Sequence, residues 1–121
     1  MDADRLMDHF ETPYHRGSFL QATHNAEVCN PACGDSVTLQ ISVKASMIDE
    51  AWFQARACFV CAGAASILCQ LAEGQRAEQI AHLSGEEFLK EIGFSLTPRR
   101  QQCALLPLQA LKTILYNLGD D

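Results

Sequence analysis

Ser36-Val37-Thr38-Leu39-Gln40-Ile41-Ser42-Val43 decides the fold. Apolar Val37, Leu39, Ile41 and Val43 alternate with polar partners, the period of a strand with one face buried and one wet. Lys44 to Ser46 reads as a turn. Ile48, Ala51, Phe53 and Ala55 then suggest a second strand that folds back antiparallel on the first. Upstream, Gly17 to Pro31 is polar and rich in turn formers, so it reads as a long loop with room for a short edge strand. Before it, Leu6, Met7 and Phe10 fall at helical spacing within Asp4–Phe10, a short helix ended by Pro13 and Gly17.

Downstream the pattern changes period. Ala62 to Leu71 is rich in Ala and Leu and reads as a buried helix closed by Gly74. Ala77 to Leu83 predicts a short helix. Ser84-Gly85-Glu86-Glu87 is a capping box that starts a helix to Ile92, stopped by Gly93. Leu96 to Arg100 is expected to be extended, with Pro98 turning Thr97 away from helix. Ala104 to Leu118 carries Leu105, Leu108, Leu111, Ile114 or Leu115, and Leu118 on one stripe, with Pro107 in the first turn of that last helix. Helix, strands, then helices is the order of an α+β domain, a small antiparallel sheet with helices packed on one face.

The chain has 121 residues, 48% hydrophobic and 20% charged, a globular composition that fills one domain over residues 1–121. A net charge of -6 argues against a nucleic-acid partner, which requires a basic face. The longest apolar run, Phe59 to Cys69, is too short to span a bilayer, so no membrane partner is expected. Met1-Asp2-Ala3-Asp4-Arg5 has neither a basic nor an apolar leader region, which predicts a cytoplasmic protein. Six cysteines in such a setting point to metal or thiol chemistry before disulfides.

Three of the six stand where the chain is predicted to change structure. Cys33 precedes the first strand, beside Gly34 and one residue before Asp35. Cys58 lies between the second strand and the long helix. Cys103 lies at the expected start of the last helix. Helix N-termini favour thiolate, and three sulfurs with one carboxylate make a tetrahedral set suited to zinc or iron. Three unrelated cysteines remain the alternative, and burial as a small hydrophobe is the reading for Cys69. Cys58-Phe59-Val60-Cys61 is also a C-x-x-C, which supports a third reading as a redox dithiol, although the strand–helix alternation of a thioredoxin-like sheet is missing. His9, His15, His24 and His82 are scattered and read as surface or capping residues. Arg99-Arg100 reads as a solvated charge pair or a docking point.

Asp8-His9-Phe10-Glu11-Thr12-Pro13, followed by Arg16-Gly17-Ser18-Phe19, resembles the opening of the U-type iron–sulfur cluster scaffold family, which covers IscU, SufU and the N-terminal domain of NifU. Asn30-Pro31-Ala32-Cys33-Gly34-Asp35 is similar to its P-x-C-G-D motif. Phe53 to Ser66 resembles the segment around its second cysteine, and Leu96-Thr97-Pro98-Arg99-Arg100 the stretch before its third. The spacing from Cys58 to Cys103 is close to the IscU type and too short for the SufU insertion. The resemblance implies a SufE/NifU-like fold and a non-enzymatic scaffold. On it a [2Fe–2S] cluster is built with sulfur from a cysteine desulfurase and then passed to apo-proteins. It also implies Cys33, Cys58 and Cys103 as cluster ligands, Asp35 as the carboxylate that keeps the cluster labile, Cys103 as persulfide acceptor, and zinc on the same residues when no cluster is present. Leu96–Arg100 corresponds to the site for an Hsp70-type chaperone pair.

The departures from the family pattern are specific. Ala57 replaces a glycine, and Gln102 stands where IscU-type members have histidine. Thr97 and Arg99 stand where proline and an apolar residue are usual, and Cys29 and Cys61 are additional. The amide of Gln102 is a weak ligand, so the fourth position falls to Asp35, with Cys61 the alternative. An alternative function on the same residues is a zinc-containing sulfur acceptor that stimulates a desulfurase.

Overall fold

A computed structural model describes residues 3–31, 34–93 and 96–119. The elements are α1 (Ala3–Glu11), β1 (His24–Asn30), β2 (Asp35–Lys44), β3 (Met47–Arg56), α2 (Phe59–Ala72), α3 (Ala77–Ala81), α4 (Gly85–Ile92) and α5 (Pro98–Gly119). The three strands form one antiparallel sheet in the order β1-β2-β3. Val37, Leu39 and Ile41 of β2, with Ala51 and Phe53 of β3, are buried on one face. α2 and α5 pack on the sheet, and α1 lies on α2. This is the α+β arrangement the alternating strand predicts.

α2 is apolar all round, with Val60, Cys61, Ala64, Ala65, Ile67, Leu68 and Cys69 all fully buried. A helix of that kind must be covered on every side, and α1, the sheet and α5 supply the cover. Gly63 is the closest approach. A Cβ there would lie 2.7 Å from the Leu6 carbonyl oxygen and 2.9 Å from Leu6 Cδ1.

β2 and β3 are joined through Ala45 and Ser46, whose φ angles of 52° and 66° make a mirror-image turn that suits the twist of a hairpin. The long loop read over Gly17–Pro31 in fact carries a seven-residue strand, β1, with alternating half-exposed and exposed residues. An edge strand needs only one partly buried face, and Ala26 and Val28 supply too few apolar residues to show it in the sequence.

The outer edge of β3 is closed. Phe53 donates its N–H to the His15 carbonyl (3.1 Å) and accepts from Gly17 N–H (2.8 Å). Ile48 donates to Gln75 O (2.9 Å) and accepts from Gly74 N–H (2.8 Å). Ala51 donates to Glu73 Oε2 (2.9 Å), and the Ala55 carbonyl accepts from the Arg16 guanidinium (3.1 Å). The backbone groups that an edge strand leaves open to other chains are thus taken up by residues 15–17 and 73–75.

The last helix departs from expectation. α5 begins at Pro98, not Ala104, so Pro98–Arg100 is its first turn and not an extended segment. Thr97 caps it: Arg100 N–H reaches Thr97 Oγ1 (3.4 Å) and Gln101 N–H reaches the Thr97 carbonyl (2.8 Å). Proline keeps the residue before it out of the helix but is itself well suited to the first helical position. In consequence Pro107 lies inside the helix, where it cannot donate to the Cys103 carbonyl. Cys103 sits in the second turn and not at the start. Leu106, Leu108, Leu111, Ile114 and Leu115 form the buried stripe, with Leu105 only half-buried. The side chain of Leu118 lies outside the described residues. Among the described residues no helix is long and apolar enough to cross a membrane.

Candidate metal centre

The centre lies at one end of the sheet. β2 starts there at Asp35, paired with Asn30 of β1, and β3 runs out there at Arg56, paired with Ser36. Asp35 shares the phase of Val37, Leu39 and Ile41, so its side chain points to the helix side, and the residue is only 8% exposed. One residue after β3, Cys58 is the N-cap of α2. Its carbonyl accepts from Ala62 N–H (3.0 Å), while its side chain makes no capping hydrogen bond, which leaves the sulfur for other work. α5 brings Cys103, 8% exposed, to the same place.

One carboxylate oxygen of Asp35 and the Sγ atoms of Cys58 and Cys103 all lie within 4.8 Å of one another. They line a cavity of about 450 Å³ with Thr97, Arg99 and Arg100. Asp35 Oδ2 is buried with no hydrogen-bond partner. A buried carboxylate oxygen without a donor is costly. Its position beside two thiols is the arrangement a cation would relieve, since two sulfurs and an oxygen offer three of the four positions of a tetrahedral zinc or iron site.

Of the other residues considered, Cys33 lies outside the described residues. Its neighbour Gly34 has φ 77° and donates to the Asn30 carbonyl (2.8 Å), a left-handed turn suited to glycine that leads straight into Asp35. Cys61 lies one turn along from Cys58, is fully buried in the hydrophobic core and is not part of the Asp35–Cys58–Cys103 group. Gln102 is exposed on α5. Cys69 is wholly buried, and burial, with Glu73 nearby, pushes its thiol well above the usual range.

Two histidines read as surface residues prove to be built into the structure. His9 Nδ1 lies 2.7 Å from Ser66 Oγ, which also accepts the Tyr14 N–H (2.7 Å). Burial, then the charge of Arg5, lowers the His9 pKa. His15 is stacked flat on Trp52 with ring centroids 4.3 Å apart, and its Nδ1 lies 2.7 Å from Glu73 Oε2. Tyr14 donates its hydroxyl to the other Glu73 oxygen, and that bond, ahead of burial, pushes the phenol up to about 12. These contacts bind the segment after α1 to α2 and to β3. Residue type alone gave no sign of them, although Asp8-His9 and Ala65-Ser66 both fall within stretches that carry the family resemblance.

A family model described as NifU-like N terminal domain matches residues 1–118. An iron–sulfur cluster assembly scaffold protein, IscU 1, of Archaeoglobus fulgidus is 29% identical over 117 residues, covering 97% of this chain and 76% of the relative. The IscU scaffold protein of Buchnera aphidicola is 29% identical over 115 residues, covering 92% and 89%. Among solved structures, the N-terminal part of a NifU-like protein from Brucella abortus superposes with a TM-score of 0.78 at 16% identity, covering 97% of this chain and 93% of the other. A candidate scaffold for the SUF system from Fervidobacterium islandicum gives 0.81 at 19% identity, covering 93% and 94%. At those identities the structures speak for the fold alone.

Proposed function

Since the chain belongs to the NifU-like N-terminal domain family, we propose that it is a scaffold on which a labile [2Fe–2S] cluster is assembled and from which it passes to apo-proteins. The observation that carries the reading is the convergence of Asp35, Cys58 and Cys103 around a buried carboxylate oxygen with no donor. Cys33, two residues before Asp35, completes the ligand set. Iron enters as two ferrous ions and sulfur as two persulfide-level atoms; reduction of the sulfur to sulfide takes four electrons, two from the irons as they become ferric and two from an external one-electron reductant. Three thiolates and one carboxylate hold the irons, and the carboxylate, a harder and weaker ligand to iron than sulfur, leaves one corner of the cluster easy to exchange.

Cys103 accepts the sulfur. Its thiolate attacks the outer sulfur of a cysteine desulfurase persulfide, the S–S bond breaks, and the desulfurase leaves as thiolate. Cys103 then carries the persulfide, with no net oxidation. The half-buried Cys58 and buried Cys103 face one cavity, so sulfur arriving on one thiol is already beside the other. Without a cluster the same residues hold zinc, and we place the protein in the cytoplasm with its desulfurase. Leu96 is buried and Pro98–Arg100 is helical, so a chaperone that reads this motif as an extended peptide has to unwind the start of α5.

Anaerobic reconstitution with ferrous iron, sulfide and a desulfurase tests the reading. The visible spectrum of a [2Fe–2S] centre is expected for the native chain and for Cys61→Ser, and is lost in Cys58→Ser and Cys103→Ser. A Cys103→Ser protein with the full spectrum defeats the assignment. Tightly held zinc that no cluster replaces, together with stimulated desulfurase turnover, selects the zinc-containing sulfur acceptor instead.

A further inference from the structure

Arg99 and Arg100 are exposed, yet both line the cavity that holds Asp35, Cys58 and Cys103. Among the described residues neither joins an ion pair. The pairs there are His15–Glu73 and Lys44–Asp49. Of the nine lysines and arginines only Lys44 is in an ion pair among the described residues, so what sets Arg99 and Arg100 apart is their place on the thiol cavity. The Arg100 guanidinium is held in place over the Phe59 ring, 5.5 Å from its centroid, and Phe59 is braced edge-on by Phe10 at 6.1 Å. Phe59 follows Cys58 directly, so this contact fixes the guanidinium at the mouth of the thiol cavity. Thr97 and the first turn of α5 open on the same cavity and add the positive end of a 22-residue helix. Among the described lining residues, Asp35 is the single carboxylic side chain beside two guanidiniums.

We propose that Arg99 and Arg100 form an anion-binding site at the mouth of the cavity, for a small anion that carries a terminal sulfur and further acceptor atoms: thiosulfate or the persulfide of a low-molecular-weight thiol acid. Guanidinium groups present forked donors suited to anions with more than one acceptor atom, and a sulfur anion held there lies next to Cys58 and Cys103. The sulfur in this assignment rests on the scaffold reading; the anion site itself does not. The free anion is the ligand in question, rather than a persulfide still attached to a protein.

Thiosulfate is the probe, added at constant ionic strength to the reduced, metal-free full chain and followed by amide chemical shifts. Saturable shifts centred on Cys58, Phe59 and Arg99 to Cys103 are expected. Arg99→Gln/Arg100→Gln should weaken binding at least about tenfold, equivalent to about 1.4 kcal/mol. The lysine pair Arg99→Lys/Arg100→Lys should retain part of it, and Lys112→Gln, further along the same helix, should leave it within about twofold. Shifts that follow ionic strength without saturating overturn the proposal, as does equal loss in Lys112→Gln. It also falls if thiosulfate does not bind while the double glutamine variant slows sulfur transfer from a desulfurase, because the arginines then address a protein-borne persulfide. Cluster reconstitution on the native chain, run in parallel, judges the scaffold reading separately.

Discussion

Replacing Gly63 with alanine tests the packing of α1 in a way that depends on sign. In an exposed helix interior, Gly→Ala stabilises by about 0.8–1.0 kcal/mol, because glycine has more backbone freedom to lose. Here the new methyl would sit 2.7 Å from the Leu6 carbonyl oxygen and 2.9 Å from Leu6 Cδ1. The side-chain contact can be relieved by a rotamer change. The backbone oxygen moves only if α1 moves by several tenths of an ångström. Displacing α1 exposes part of Leu6, whose full burial is worth about 1.5–3 kcal/mol, and strains the His9–Ser66 hydrogen bond, worth about 0.5–1.5 kcal/mol. Against the propensity gain, the expected result is a net loss of about 1–3 kcal/mol. Urea unfolding measures it, with an unchanged m-value as the sign of a two-state comparison. Because the obstacle is backbone, Leu6→Ala in the Gly63→Ala background should recover only part of the loss in a double-mutant cycle. If Gly63→Ala raises stability by about 1 kcal/mol, the close approach of α1 and α2 is not real.

Asp35→Ala should stabilise the metal-free protein, since it removes a buried carboxylate oxygen that has no donor without putting another polar atom in its place. The same change should abolish the rise in melting temperature that zinc gives the native chain, and a loss of metal-free stability would contradict the account of Asp35. His9 has a folded-state pKa below its unfolded value, so the folded state favours the neutral ring. Stability from this group is present at neutral pH and is lost as pH falls below about 6.5. Denaturation curves between pH 7.5 and 5.5 should show a steeper loss for the native chain than for His9→Gln, and an NMR titration should place the His9 midpoint below 6.5. Ser46→Gly, at φ 66° in the β2–β3 turn, should add about 0.5–1 kcal/mol; a loss would mean the serine side chain contributes there.

The sequence showed what its periodicities could carry. β2 was legible because one buried face imposes strict alternation, and Asp35 falls in that alternation two residues before Val37. α4 was legible from the Ser84/Glu87 box: Ser84 Oγ accepts the Glu87 N–H (3.1 Å) and the Glu87 carboxylate accepts the Ser84 N–H (2.9 Å). The start of α5 is not legible from the sequence because Pro98 acts in two directions, out of the helix for Thr97 and into it for Arg99. The junction at Cys58 is legible from the change of period around it, while Cys103 comes to the centre from within a helix, through the way α5 crosses the sheet. The His15–Glu73–Tyr14 contacts were not legible. They join residues nearly sixty positions apart, and nothing local marks them.

The capped edge of β3 sets a limit on assembly. A sheet with two free edges can add strands indefinitely, which is how fibres grow. Among the described residues the His15–Gly17 segment and the turn after α2 occupy one flank of this sheet, which leaves β1 as the edge for main-chain pairing with a second copy. Two copies joined there use up each other's free edge, and growth of that kind stops at a pair.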